Sequence, residues 1–440
     1  MDILIKIAQL FLCFTILVGI HELGHFLMAR AFKIRVEKFY IFFDPWFSLF
    51  KFKRGDTEYG LGWLPLGGYV KIAGMIDESM DKEQMKQPVK PDEFRAKPAW
   101  QRLLVMVAGV MMNVLLAIVI YCAVCYTWGD SYFSNQDAKW GYNFNPTAHE
   151  MGFRDGDRFV SIDGEEIDNV MRVQNDLLIT DGGRRVIVER GGEPVTLDIP
   201  FESLLRMRQE KAYEDLFTLR LPFIVDSVSY TSAVEAGLES GDEVVAIDDL
   251  RDADYPRYRD YLQKHKNENF LLTVRRDGAL IDSLALPVDA EGRIGVTVTN
   301  PYSLRTQYYT FWESIPAGIH KAGKTISSYW DQLKLIVQPK TKMYEELGGF
   351  VAIGSIFPSS WDWHDFWLKT AFLSIILAVM NLLPIPGLDG GHALFTLWEI
   401  ITRRKPSEKF LEVAQYVGLM IILALLVYAN GNDIYRFFIK

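Results

Sequence analysis

Two histidines and one glutamate stand close together in an apolar stretch near the beginning of the chain. The run His21-Glu22-Leu-Gly-His25 lies within residues 3–32, where Lys6 is the only earlier charged residue. Residues four apart share one face of a helix, so His21 and His25 can present two imidazole nitrogens to one divalent metal ion. Glu22 can then accept a proton from a water molecule that the metal activates. The pattern indicates a metal-dependent hydrolase.

The apolar surroundings of these groups favour a shared ligand. An ionisable side chain at membrane depth costs about 2.5–3.5 kcal/mol on insertion scales and is rarely retained without a function. The alternative is that His21 and His25 only pack between helices while Glu22 extends to the membrane interface.

The composition predicts a polytopic α-helical membrane protein with a soluble insertion. The chain has 440 residues, of which 49% are hydrophobic and 13% aromatic. Four segments are apolar over the roughly 20 residues that a membrane span needs. They are residues 3–32, 103–128, 370–388 and 413–430.

The distribution of charge predicts the orientation of these spans. Lys and Arg are concentrated in the connections 30–102 and 403–409, which the positive-inside rule places in the cytoplasm. Residues 129–300 carry more acidic than basic side chains and are therefore placed outside. The first and third spans both enter from outside, so their later halves lie at the same depth.

This topology predicts a third metal ligand at the end of the third span. Residues 381–392 read N-L-L-P-I-P-G-L-D-G-G-H, in which Pro384 and Pro386 predict a helix that is interrupted within the membrane. Asp389 would complete a His2Asp set with a fourth position open for water, as catalytic zinc sites have. His392 is a competing candidate for this ligand. We favour the alternative interpretation, in which His392 stands at the start of a helix at the membrane interface.

The connection between the first two spans predicts a membrane-associated β-hairpin at residues 57–72. Its residues alternate as in a strand, and Pro65, Gly67 and Gly68 interrupt the alternation. The alternative is a hairpin that only packs on the helices.

The outer region contains an internal repeat. Residues 152–164 return in similar form at 237–249, each as a glycine turn before a half-buried strand. We therefore expect two inserted α+β domains, at 129–212 and 213–300. The aromatic-rich residues 301–365 predict an amphipathic helix on the membrane surface, and residues 1–128 and 366–440 form the two membrane parts.

The combination of H-E-x-x-H in the first span with N-x-x-P-x-P-x-L-D-G in the third resembles the site-2 protease family of intramembrane zinc metalloproteases. The resemblance implies that His21, His25 and Asp389 bind Zn²⁺ and that Glu22 is the general base. It also implies that the hairpin is a membrane-reentrant β-loop whose strand edge holds an unwound substrate.

Further candidate residues follow from the same resemblance. Residues 109–113 resemble the G-x-x-x-N pattern of the family. The asparagines of the two motifs either hold the substrate and hydrate the site or simply bond a neighbouring helix. The candidate substrate-binding residues are Asn381, Pro384, Pro386, Asn113, Gly67 and Gly68.

The outer repeat resembles PDZ domains, which occur in tandem at this place in related proteases. Such domains bind peptide or protein C-termini by strand addition. They can also act as a size filter or as spacers with closed grooves.

The resemblance implies a multi-pass inner-membrane protease in the lipid bilayer, with its active site towards the cytoplasm and the PDZ-like domains in the periplasm. Its substrates would be single-pass transmembrane proteins, such as anti-sigma factors after a first extracytoplasmic cut, and signal-peptide remnants. No nucleic-acid partner is expected. The alternatives are a non-catalytic PDZ scaffold or membrane chaperone, which would not need Glu22, and a metal transporter, which usually spreads its ligands along a pathway.

Overall fold

The computed structural model describes residues 2–64, 67–75, 88–213 and 215–439. It consists of two compact units. We call Met1–Asp130 together with Tyr308–Lys440 the helical unit, and Ser131–Gln307 the inserted unit.

Helices and strands are numbered in chain order. The helices are α1 (Asp2–Ala31), α2 (Ala99–Trp128), α3 (Pro146–Glu150), α4 (Val173–Leu178), α5 (Phe201–Gln209), α6 (Thr231–Glu235), α7 (Tyr255–Lys264), α8 (Phe311–Val337), α9 (Phe350–Ser355), α10 (Trp363–Leu382), α11 (Asp389–Thr402) and α12 (Glu408–Ile434). The strands are β1 (Val36–Ile41), β2 (Phe50–Arg54), β3 (Thr57–Leu61), β4 (Tyr69–Ile72), β5 (Asp130–Tyr132), β6 (Tyr142–Phe144), β7 (Arg158–Ile162), β8 (Glu165–Glu166), β9 (Arg184–Arg190), β10 (Glu193–Ile199), β11 (Phe217–Leu219), β12 (Phe223–Val228), β13 (Glu243–Ile247), β14 (Asn269–Arg276), β15 (Ala279–Pro287), β16 (Val296–Val298) and β17 (Arg305–Gln307).

Within the part of the helical unit that the structure describes, four helices are long and apolar enough to cross a membrane: α1, α2, α10 and α12. Each of them overlaps one predicted span. The third begins earlier than predicted and ends at Leu382 rather than at residue 388. Pro384 and Pro386 follow directly, and because proline has no N–H to donate, the helix cannot continue through them.

Helix α2 is the centre of the helical unit and packs against α1, α8, α10 and α11. Small residues permit close approach at these contacts. A Cβ on Gly24 of α1 would lie 2.5 Å from the carbonyl oxygen of Ala108 on α2. A Cβ on Gly318 of α8 would lie 2.6 Å from the backbone nitrogen of Cys122.

Helix α8 falls within the segment predicted as an amphipathic surface helix, and its position on a membrane surface stays a prediction.

The predicted hairpin over residues 57–72 is wrong in its pairing. Strands β3 and β4 both form there, but they lie on opposite sides of β1 in a four-stranded sheet of order β2-β3-β1-β4. The hairpin partner of β3 is β2. Alternation of residue types predicts a strand but not its neighbour, and β1 comes from residues outside the predicted hairpin. Pro65, on which the prediction relied, lies outside the described residues.

The inserted unit has two halves, each with its own apolar core. The first half contains the sheet β10-β9-β7-β8, and the second contains the sheet β15-β14-β13-β12-β16. The sequence repeat produces the same ion pair in both halves. The buried Asp157 accepts two hydrogen bonds from Arg190, each 2.7 Å long, and the buried Asp242 accepts two of the same length from Arg276.

We expect the ion pair of the second half to make the stability of the inserted unit depend on pH. Burial alone would raise the pKa of the Asp242 carboxyl, but the Arg276 guanidinium and the backbone N–H of Glu239 hold the pKa below its ordinary value. A carboxyl group whose pKa is lowered by folding stabilises the fold at pH values above the pKa of an aspartate in the unfolded chain, about 3.9. This stabilisation is lost as the pH falls through the lower pKa of the folded state. Arg276→Met should therefore increase proteolysis of the inserted unit at pH 7, and its difference from wild type should shrink below about pH 4.

The matched control is Arg185→Met. Arg185 pairs with Asp198 on an exposed surface, where an ion pair contributes little. Limited proteolysis of the full-length protein in detergent measures both variants. Equal effects of Arg276→Met and Arg185→Met would contradict the assigned role of the buried pair.

Candidate active site

The two histidines of the first motif lie on one face of α1 and point at each other. Their Nε2 atoms are 3.2 Å apart, and both side chains are largely buried. This is the arrangement that the i and i+4 spacing predicts on an unbroken helix.

Asp389 joins the two histidines from the other end of the sequence. It is the first residue of α11, directly after the loop that follows α10. Its Oδ2 lies 3.1 Å from His21 Nε2 and 3.3 Å from His25 Nε2. The loop is tightly folded: a Cβ on Gly390 would lie 2.3 Å from the carbonyl oxygen of Leu382. The glycines after Asp389 are therefore needed for the turn that places its carboxylate.

The three atoms fit a tetrahedral metal ion. Ligands with bonds of 2.0–2.1 Å to such an ion are about 3.4 Å apart, close to the three distances given above. Asp389 Oδ2 is buried and accepts no hydrogen bond from any residue that the structure describes. A buried carboxylate oxygen without a donor is costly unless a cation binds it. The donor set of two imidazoles and one carboxylate suits zinc and leaves a fourth position open.

Neighbouring polar groups orient the imidazole rings. His25 Nδ1 is 2.8 Å from the carbonyl oxygen of Val105, to which it donates a hydrogen bond, so its Nε2 is left free as a ligand. The Asn113 carboxamide lies 3.3 Å from His21 Nδ1. With the amide oxygen turned towards this ring, Asn113 would orient His21 in the same way.

The cluster opens into a cavity of about 1000 Å³. Glu22 lines this cavity beside the two histidines and Asp389, as do Asn381, Gly67, Gly68 and the residues of β4. A Cβ on Gly68 would lie 3.2 Å from Glu22 Cγ. The beginning of β4 therefore passes directly beside the predicted general base.

The remaining predicted site residues have different positions. Asn381 Nδ2 lies 3.4 Å from His21 Nε2. Pro386 lines a second cavity of about 170 Å³, and Pro384 lines neither of these two cavities. His392 lines both cavities but does not belong to the group of atoms that could hold a metal ion.

Sequence reasoning missed the part that Gly109 plays in the site. A Cβ at this position of α2 would lie 2.4 Å from His25 Nε2 and 2.7 Å from His21 Cε1. The G-x-x-x-N pattern was the available signal, but it does not reveal that the glycine faces the two imidazoles.

The family model of peptidase family M50 matches residues 9–425. The chain belongs to this family. M50 peptidases are the site-2 proteases, so the protein is a zinc metalloprotease. Together with its four apolar helices, membership in family M50 makes it a multi-pass membrane protein.

Relatives agree with this assignment along nearly the whole chain. The "Regulator of sigma E protease" of Haemophilus influenzae is 27% identical over 99% of this chain and 100% of its own. The "Putative zinc metalloprotease" of Clostridium perfringens is 30% identical over 96% of both chains. A protein of Vibrio cholerae with the same description is 29% identical over 99% of both chains.

We expect Gly109→Ala to weaken zinc binding. The added methyl group would displace both imidazoles, and changes beside a metal site typically cost about 10–100-fold in affinity. The measurement compares how much zinc the variant and the wild type retain in the presence of a series of chelators. Gly323→Ala on α8 is the control, because a Cβ there meets nothing within 4 Å. Equal zinc affinity of Gly109→Ala and wild type would contradict the packing described above.

Proposed function

We propose that this M50 peptidase hydrolyses peptide bonds within the transmembrane segments of single-pass membrane proteins. His21, His25 and Asp389 would hold the zinc ion, and Glu22 would be the general base. The observation that supports this most directly is the convergence of the three ligand atoms beside Glu22, between helices that are apolar enough to span a membrane.

Zinc, when bound, lowers the pKa of a water molecule and polarises the substrate carbonyl group. Glu22 accepts the proton as the water oxygen attacks the carbonyl carbon. It then delivers the proton to the amide nitrogen as the C–N bond breaks. Asn381 lies beside His21 and can donate a hydrogen bond to the substrate backbone.

The edge of β4 is the proposed binding place for the substrate backbone. Among the described residues, β4 is the last strand of its sheet and pairs with β1 on one side, and it lines the cavity. A helical substrate must unwind before a protease can reach its peptide bonds, and a free strand edge can hydrogen-bond the unwound segment. Strand addition to β4 would place that segment beside Glu22.

The proposed substrates follow from the relatives. One relative is named a regulator of sigma E protease, so anti-sigma factors already cut outside the membrane, together with signal-peptide remnants, are the first candidates. The two halves of the inserted unit would be PDZ-like domains, at 129–212 and 213–300, that bind C-termini or exclude bulky substrates. The charge distribution supports an active site towards the cytoplasm and an inserted unit outside.

We expect Glu22→Gln to lose cleavage while retaining zinc. General base catalysis typically contributes about 10²–10⁴-fold, and the carboxamide of the variant cannot accept the proton. The assay follows a single-pass reporter, truncated on its outer side, in membranes with matched amounts of wild type or variant. Asp389→Ala serves as the contrasting variant, because it should lose both zinc and cleavage. Cleavage by Glu22→Gln at the wild-type rate would instead favour a non-catalytic scaffold.

A further inference from the structure

A glutamine lies on helix α12, which is long and apolar enough to cross a membrane. Gln415 is 6% exposed, whereas Val417 and Met420 on other sides of the helix are 53% and 62% exposed. A buried amide group is costly unless it forms hydrogen bonds, and polar residues within a span usually have a function. None of the residues that the structure describes forms a hydrogen bond with this amide. The Gln415 amide is therefore available to a molecule that enters the helical unit.

Gln415 lies on the side of α12 that contacts the loop before Asp389. Gly418 is three residues further on and shares this side of the helix. A Cβ on Gly418 would lie 1.3 Å from the carbonyl oxygen of Pro386. The backbone of α12 therefore passes directly against the loop, about one helical turn from Gln415.

Gln415 lines the larger cavity together with Glu22, Asp389 and the residues of β4. It also lines the smaller cavity, and the residues that line both are Met75, Met106, Gly387, His392 and Gln415. Met75 follows the last residue of β4 by three positions. The amide therefore faces the larger cavity near the end of β4, where the two cavities adjoin.

We propose that the Gln415 amide hydrogen-bonds the backbone of the substrate along the edge that β4 leaves free. The inference rests on the proposed function, in which β4 pairs with one edge of an unwound segment. Backbone groups of an extended segment point alternately to its two edges, so pairing with β4 leaves the groups of the other edge without partners. Unpaired groups are costly in an apolar environment. An amide side chain can donate to a carbonyl oxygen and accept from an N–H, which suits a peptide backbone of any sequence.

The test uses the full-length protein in liposomes and synthetic single-pass peptides that are truncated on their outer side. The peptides share one sequence, and in each of them a backbone ester replaces one amide near the cleaved bond, but not the cleaved bond itself. An ester lacks the N–H donor. In wild type, an ester that faces β4 or Gln415 should slow cleavage about five-fold, which is the effect of one hydrogen bond.

Gln415→Met keeps the length of the side chain and removes its hydrogen-bonding groups. This variant should cleave the all-amide peptide about five-fold more slowly than wild type. The ester that faces Gln415 should cause no further loss in the variant, whereas esters that face β4 should slow the variant as much as wild type. A role in packing alone would not produce this selective change.

Gln9→Met is the matched control. Gln9 is a buried glutamine of α1 whose Nε2 donates to the carbonyl oxygen of Pro358 at 2.9 Å, and it lines neither of the two cavities. The ester at each position should therefore have the same effect in Gln9→Met as in wild type. Zinc content verifies that each variant is folded.

Three results would overturn the inference and leave the proposed function in place. Gln415→Met could cleave the all-amide peptide at the wild-type rate. It could instead slow every peptide by the same factor, which would assign the amide to packing or to water between the two cavities. It could also lose zinc, which would assign the amide to the metal site. Absence of cleavage of every peptide by wild type would overturn the proposed protease function as well.

Discussion

The helical unit depends on bringing together, from two ends of the chain, three side-chain atoms that could hold one metal ion. His21 and His25 come from α1, whereas Asp389 begins α11, and the two Nε2 atoms and Asp389 Oδ2 approach within 3.1–3.3 Å of one another. A cation can hold such groups together, but the backbone must first place them. That placement comes from α2, which packs against both α1 and α11. At Gly109 it approaches the imidazoles so closely that no side chain can be accommodated.

The end of the third span must place Asp389 beside the two histidines. A continuous helix would carry Asp389 past the histidines, so the chain stops at Leu382 and restarts at Asp389. Prolines make this break by removing hydrogen-bond donors, and glycines make it compact by allowing carbonyl groups to pack against the first turn of α11. Arg102 of α2 donates to Glu399 of α11 at 2.6 Å and holds the same helix further along. Pro384 and Pro386 therefore shape the site without lining its cavity.

Local signals in the sequence predicted some of these features but not others. Apolar length predicted α1, α2, α10 and α12, because a span must satisfy its backbone internally. The spacing of His21 and His25 predicted their approach, since both lie on one helix. The partners of β3 and β4 were not predictable in this way, because they depend on contacts with β1 that no local pattern encodes. For the same reason Gly109 was recognised as part of a motif but not as a neighbour of the imidazoles.

The sheet beside the site has to serve two environments. Its apolar face packs on α1 through Phe26, while Phe50 and Phe52 extend this face into exposed positions on β2. Its polar face adjoins the cavity, where Lys38, Lys71 and Tyr69 are found.

A strand edge in hydrocarbon would leave N–H and C=O groups unpaired at a cost of several kcal/mol each, so the edge of β4 is tolerable only where water or another strand can reach it. The cavity, which β4 lines together with Glu22, is such a place. In the proposed function, a substrate strand paired with β4 would satisfy the same N–H and C=O groups.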